Sequence, residues 1–94
     1  MKISDYLLQT LECCGVDTVF GNPGTTEIPL LRSFDGRSRC RYVVALSEVA
    51  AVPMADGHAR ATRSLGVVNL HVAPGLGNGM GALYTASIAR TPLL

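Results

Sequence analysis

The chain has 94 residues, 48% of them hydrophobic and 16% charged, with a net charge of +1. That is room for one small globular domain of marginal stability on its own. The balanced, scattered charge excludes a nucleic-acid-binding surface, and no apolar run reaches the length of a membrane span.

The first element expected is a helix over residues 4–14. Ser4 is placed to cap it, Asp5 suits its first turn and Gly15 its end. Leu7, Leu8 and Leu11 share a side that would face a core. Asp5 and Glu12 also interrupt any secretory leader. Cys13 and Cys14 close the helix. Three cysteines, two of them adjacent, form neither a disulfide framework nor a zinc pattern. They read as reduced thiols, Cys13 or Cys14 packed on a helix face, in a cytoplasmic protein.

Residues 16–20, bounded by glycines, read as a strand. A turn over 21–26 leads to a short helix over 27–34, where Pro29 is tolerable only in the first turn. Arg37, Arg39 and Arg41 read as a solvated turn. Residues 42–46, YVVAL, read as a buried strand. A helix follows over 47–62, capped by Ser47. Pro53 lies beyond its first turn and should kink it at a cost of about 3 kcal/mol. Residues 67–72 read as a third strand, 73–81 as a glycine-rich turn and 81–90 as a helix. Thr91 and Pro92 then turn into Leu93 and Leu94, the opening of another strand, so the 94 residues are expected to be part of a larger domain.

Helices alternating with short apolar strands imply an α/β fold, a parallel sheet covered by helices on both faces. Ligands in such sheets bind at the carboxyl ends of the strands. That rule selects three loops: residues 21–27, Ser47 with Glu48, and residues 71–78. The first is a sharp turn whose small residues admit a ligand to the backbone; as a bland alternative it is a strand–helix turn with a Thr cap. Glu48 is either a first-turn acid gaining about 0.3–1 kcal/mol from the helix dipole or a partly desolvated acid that exchanges a proton with a ligand. His71, near the end of its strand, is a better acid–base candidate than most lone histidines. Gly77 and Gly79 with Ala82 loosely match a dinucleotide fingerprint, which keeps a Rossmann-type nucleotide-binding module open as an alternative.

Three stretches share a resemblance. Val19-Phe20-Gly21-Asn22-Pro23-Gly24-Thr25-Thr26-Glu27 resembles the opening signature of thiamine-diphosphate-dependent 2-oxo-acid enzymes of the acetolactate synthase and benzoylformate decarboxylase type. Ala45-Leu46-Ser47-Glu48, with Ala55-Asp56-Gly57-His58-Ala59-Arg60 after it, resembles that family's glutamate segment, except that His58 replaces the usual Tyr. Asn69 through Asn78 resembles the segment bearing the active-site histidine of benzoylformate decarboxylase.

The resemblance implies the N-terminal, pyrimidine-binding domain of such an enzyme. It implies that Glu48 hydrogen-bonds the aminopyrimidine ring and that Asn22, Pro23, Gly24 and Asn78 help bind the cofactor. It further implies that Thr25 meets the substrate carboxylate and that His71 contacts substrate and moves protons. Small-molecule 2-oxo acids are the implied substrates, and a homo-oligomer (dimer or tetramer) the implied assembly. Magnesium is implied as a second cofactor, but the family's Gly-Asp-Gly…Asn metal and diphosphate motif does not occur in these residues, so no metal ligand is expected here. The stretch alone should not catalyse a reaction. A non-catalytic interaction domain of the same family is the remaining alternative.

Overall fold

The computed structural model describes residues 1–36 and 39–94. It contains a three-stranded parallel sheet of β1 (Thr18–Gly21), β2 (Arg41–Val44) and β3 (Val67–Asn69) in the order β2-β1-β3. The register aligns Val19 with Tyr42 and Val67, and Gly21 with Val44 and Asn69. Three long helices accompany it: α1 (Ile3–Cys13), α3 (Glu48–Thr62) and α4 (Val72–Ile88). The short α2 (Ile28–Leu31) is flanked by single 3₁₀ turns at Thr25–Glu27 and Arg32–Phe34, with Pro29 in its first turn as expected.

The expected parallel architecture is therefore present. Side chains alternate across a strand, and β1 buries both of its faces. Val19 joins Leu8 and Leu11 of α1, Val16, Cys40 and Val67 in one apolar cluster. Phe20, pointing the other way, meets the His58 ring of α3 edge-on at 5.4 Å. Helices thus lie on both faces. α3 presents a nearly inaccessible stripe of Ala51, Val52, Ala55 and Ala59. These small side chains let it ride close to the sheet: a side chain on Gly66 would meet the Ala55 carbonyl at 2.6 Å.

Several local expectations are corrected. α1 begins one residue before Ser4, and its first turn is closed by the Lys2 N–H donating to Asp5. The Ser4 hydroxyl instead accepts from Ser33. Leu7 is exposed, so the core stripe is Leu8 and Leu11. Cys13 and Cys14 are both exposed, and the packed thiol is Cys40, which burial raises to about 11. Gly15 ends α1 with φ +83°, a conformation that suits glycine. β2 is less buried than its apolar sequence implies, because only β1 flanks it among the described residues; Val44 is exposed and Leu46 is 97% exposed. Arg37 of the expected basic turn lies outside the described residues.

α3 starts as expected, with the Ser47 hydroxyl accepting from the Val49 N–H at 3.2 Å. It continues through Pro53 to Thr62. Pro53 is on the solvent side, where water can take up the carbonyl left without its donor.

The largest departure follows β3. The strand ends at Asn69, and residues 73–81 are the first half of α4 rather than a turn. Glycine costs about 1 kcal/mol in a helix interior, and packing reverses that preference here. Gly75 and Gly79, one turn apart, are buried against α3: side chains there would reach Glu48 Oε1 at 2.8 Å and Val52 Cγ2 at 2.9 Å. Gly77 and Gly81 point into open space. Pro74 sits in the first turn, where no N–H is needed, and the Gly75 N–H makes the first helical bond, to the His71 carbonyl. Beyond α4, Leu93 pairs with Gly66 in a parallel bridge, flanked by backbone bonds from Gly66 to Pro92 and from Val68 to Leu94. Leu93 and Leu94 thus run alongside β3, as the reading of an opening strand anticipates.

Candidate functional site

The strand order fixes where the three candidate loops meet. The chain steps from β1 to β2 on one side and then crosses to β3 on the other. The loops leaving β1 and β3 diverge at their common C-terminal edge, the switch point where open parallel sheets bind ligands.

Tyr42, Gly21 and Asn69 form the floor of that edge. The Tyr42 hydroxyl donates to Asn69 Oδ1 at 2.9 Å and crosses directly over Gly21, whose missing side chain makes the crossing possible. Burial and the nearby Glu27 and Glu48 carboxylates push the phenol up to about 12. Tyr42 therefore stays neutral and keeps its proton for Asn69.

Glu48 opens α3 four residues after β2 and is 6% exposed. Its carboxylate makes no hydrogen bond or ion pair with any described residue. Among the described residues no fully enclosed side-chain polar atom lacks a partner, so the Glu48 oxygens keep a narrow contact with solvent. Gly75 is what leaves them room. A buried carboxylate without a protein donor is costly unless something else satisfies it.

His71 follows β3 by two residues and caps α4. Its Nδ1 lies 2.8 Å and 3.0 Å from the two Glu27 oxygens and 3.3 Å from Thr26 Oγ1. The ring rests on Gly24, where any side chain would collide with it. Glu27 Oε2 also accepts from the Gly24 N–H at 2.8 Å and from the Thr26 hydroxyl at 3.1 Å. These donors, His71 foremost, hold the Glu27 carboxyl below its usual range against the opposing effect of burial. The next residue, Val72, has φ +52°, which is strained for a β-branched side chain.

Of the residues singled out in the sequence, Gly24 and His71 are in contact, and Glu48 lies against Gly75, one turn along the helix that His71 caps. Asn22 and Pro23 are half-buried in the same loop. Thr25 and Asn78 are exposed, and neither is hydrogen-bonded to Glu48 or His71. Tyr42 and Asn69 lie outside the three loops; within residues 21–27 the sequence offers Thr26 only as a helix-capping hydroxyl and assigns Glu27 no role. For Glu27 a signal was available: an acid three residues after a glycine turn can fold back onto that turn's N–H, as in a capping box. Asp56 and Arg60, within the expected glutamate segment, form a structural clamp. Arg60 binds Asp56 through two bonds, of 2.8 Å and 3.1 Å, and reaches Thr91 at 3.2 Å, tying α3 to the segment that enters beside β3.

No group of three or more His, Cys, Asp or Glu among the described residues could hold a metal ion. None of the described helices is long and apolar enough to cross a membrane. The glycines of the loose dinucleotide fingerprint lie inside α4 and form no phosphate-cradling turn.

Residues 1–94 match the family described as thiamine pyrophosphate enzyme, N-terminal TPP binding domain. The chain belongs to this family. Over 80 residues, 85% of the chain, it is 50% identical to benzoylformate decarboxylase of Pseudomonas aeruginosa. Over 91 residues, 97% of the chain, it is 32% identical to the acetolactate synthase large subunit of Lactococcus lactis. The solved structure of the thiamine diphosphate-dependent 4-hydroxybenzoylformate decarboxylase of Rhodococcus jostii matches 99% of the chain with a TM-score of 0.91 at 41% identity. The chain spans 15% and 16% of the length of the two curated relatives and 17% of that solved chain. Family membership accounts for the parallel sheet and places the three loops within a thiamine pyrophosphate binding domain.

Proposed function

We propose that the chain is the pyrimidine-side part of a thiamine-diphosphate-dependent enzyme acting on 2-oxo acids, most like a benzoylformate decarboxylase, with Glu48 as the group that meets the cofactor's aminopyrimidine. The observation that carries this reading is the buried Glu48 carboxylate with no donor from the described residues. A ring nitrogen in the cleft would supply the missing partner and share its proton. The glycines fit the same ligand: Gly24 keeps the loop after β1 low, and Gly75 keeps the first turn of α4 clear of Glu48.

When bound, thiamine diphosphate supplies a carbon nucleophile for the 2-oxo carbonyl and a sink for the electrons released as carbon dioxide leaves. Glu48 holds a proton against the pyrimidine ring. The backbone of Asn22, Pro23 and Gly24 lines the ring's pocket, and Asn78, on the exposed side of α4, contributes from the β3 side. Thr25 offers a hydroxyl to the substrate carboxylate. Decarboxylation replaces a carboxylate with hydrogen, so a proton must be delivered, and His71 is the group in reach of that task. Magnesium and the diphosphate would be held by parts of the enzyme outside these residues. The working form is a homo-oligomer in the cytoplasm.

The decarboxylase reading is preferred to acetolactate synthesis because the benzoylformate decarboxylase similarity is the higher, 50% over 80 residues against 42% over 94 residues for a putative acetolactate synthase large subunit of Mycobacterium tuberculosis. The test is deuterium exchange at the thiazolium carbon in the full-length enzyme. Glu48→Gln keeps the shape and removes the ionisable proton, so exchange should slow by about 10²–10⁴-fold while cofactor still binds. His71→Ala should leave this exchange nearly intact and slow substrate turnover. If Glu48→Gln exchanges at the parent rate, the assignment of Glu48 is wrong.

A further inference from the structure

We infer that Glu27 is a positioning residue that decides which nitrogen of His71 carries the proton: Nδ1 is held as N–H, and Nε2 is left as the free, proton-accepting atom. The inference deepens the proton-carrying role proposed for His71 and rests on it for its functional meaning.

The geometry carries the argument. A carboxylate has only acceptors to offer. Glu27 already accepts from the Gly24 N–H and the Thr26 hydroxyl through Oε2, and it places both oxygens within 3.0 Å of His71 Nδ1. Donors on three sides keep the carboxyl ionised at neutral pH. A neutral imidazole beside an acceptor-only group must donate, so the hydrogen sits on Nδ1. Nε2 has no hydrogen-bond partner among the described residues. The ring cannot swing away, because Gly24 lies under it and Glu27 is anchored to the Gly24 backbone at 2.8 Å. Gly24 and Glu27 thus work as a pair: one admits the ring and supplies the N–H that orients the acid, and the other orients the ring. This is the physical logic by which an acid behind a histidine fixes tautomer and direction without itself taking up the proton.

The informative variant is Glu27→Gln. The Gly24 N–H, 2.8 Å from Oε2, requires an oxygen at that position; the Thr26 hydroxyl tolerates either atom there. The amide nitrogen must then occupy the Oε1 position, 3.0 Å from Nδ1 in the parent. An N–H there opposes a hydrogen on Nδ1, while the oxygen kept at the Oε2 position, 2.8 Å from Nδ1, still accepts one, so the preference for Nδ1–H weakens and part of the rings carry the proton on Nε2. In the full-length enzyme the expected result is a kcat lowered several-fold, by no more than about 10²-fold, with KM little changed. A second readout does not depend on turnover. Diethyl pyrocarbonate attacks an unprotonated ring nitrogen, so carbethoxylation of His71 in the cofactor-free enzyme, followed by peptide mass mapping, should slow in Glu27→Gln. Glu27→Asp keeps an acceptor-only carboxylate and should recover part of both readouts.

An unchanged carbethoxylation rate in Glu27→Gln, or equal impairment of the Asp and Gln variants in both readouts, overturns the inference. If His71→Ala retains the parent's kcat, the proton-carrying reading of His71 fails instead, and the carbethoxylation comparison still decides the role of Glu27.

Discussion

Gly75 and Glu48 share one small volume: a side chain on Gly75 would place its first carbon 2.8 Å from Glu48 Oε1. The helix that follows the third strand is thereby shaped around the acid that follows the second. Adding a methyl group at this point has two opposed effects. Alanine favours the helix by about 1 kcal/mol over glycine, while the methyl pushes the end of a flexible side chain. Gly75→Ala is therefore expected to leave stability within about 1 kcal/mol of the parent and to lower activity of the full-length enzyme, because the carboxylate must move. Urea unfolding and kcat on the same preparation check this. Parent-like activity would mean that the position of Glu48 does not matter.

Gly79→Ala is the contrasting case. Its methyl would meet Val52 Cγ2 at 2.9 Å, and Val52 is a fully buried, branched side chain with no freedom to yield. Overpacking of this kind costs about 1–3 kcal/mol, enough to outweigh the gain in helix propensity. The urea midpoint should fall. The opposite ranking, with Gly75→Ala the less stable variant, would show that the α3–α4 contact is softer than described.

These two glycines also mark where the sequence could and could not be read. The strands after Gly15, Arg39 and Leu65 were legible because short β-branched runs between breakers have few other uses. Glu48, His71 and the Gly24 turn were legible as strand-end residues of a parallel sheet. The first half of α4 was not, because glycine density signals a turn locally, and its tolerance in a helix depends on α3, a partner 20–30 residues away. The same non-locality hid the long-range partners of Glu27, Tyr42 and Asn69. Nothing near Glu27 in the chain announces His71, 44 residues on, and the Tyr42 hydroxyl finds Asn69 only because the register sets both beside a glycine.

Acid should weaken the fold through two carboxylates. Glu27 is held low chiefly by the hydrogen bond with His71, and Asp56 chiefly by Thr91 and then Arg60. A carboxylate with a depressed folded value contributes its stabilisation above its unfolded value and loses it as pH falls through the folded one. The ordinary values are 4.5 and 3.8. The urea midpoint should thus be flat near neutrality and decline below about pH 4.5. Asp56→Asn should be less stable at neutral pH and show a shallower decline in acid. A decline as steep as the parent's would remove Asp56 from the account.

The last prediction concerns Val72, the residue after His71. Its φ of +52° is uncommon for any residue with a side chain and strained for a β-branched one. Strain of this kind costs about 1–3 kcal/mol and persists where the surroundings impose it. Here they impose it from both sides, since His71 is gripped by Glu27 and the Gly75 N–H is bonded to the His71 carbonyl. Val72 is 52% exposed, so removing its side chain forfeits little buried surface. Val72→Gly relaxes the backbone strain and adds conformational entropy to the unfolded chain, an opposing effect of about 0.4–1 kcal/mol. The net expectation is a gain of stability of about 1 kcal/mol, read as a higher urea midpoint with unchanged slope. Activity should fall nonetheless, because a freer backbone at residue 72 loosens the imidazole beside it. Val72→Ala keeps a side chain but removes the branch, and should lie between the two in stability. If Val72→Gly is less stable than the parent by more than the entropic effect, the left-handed backbone at this position is not a source of strain.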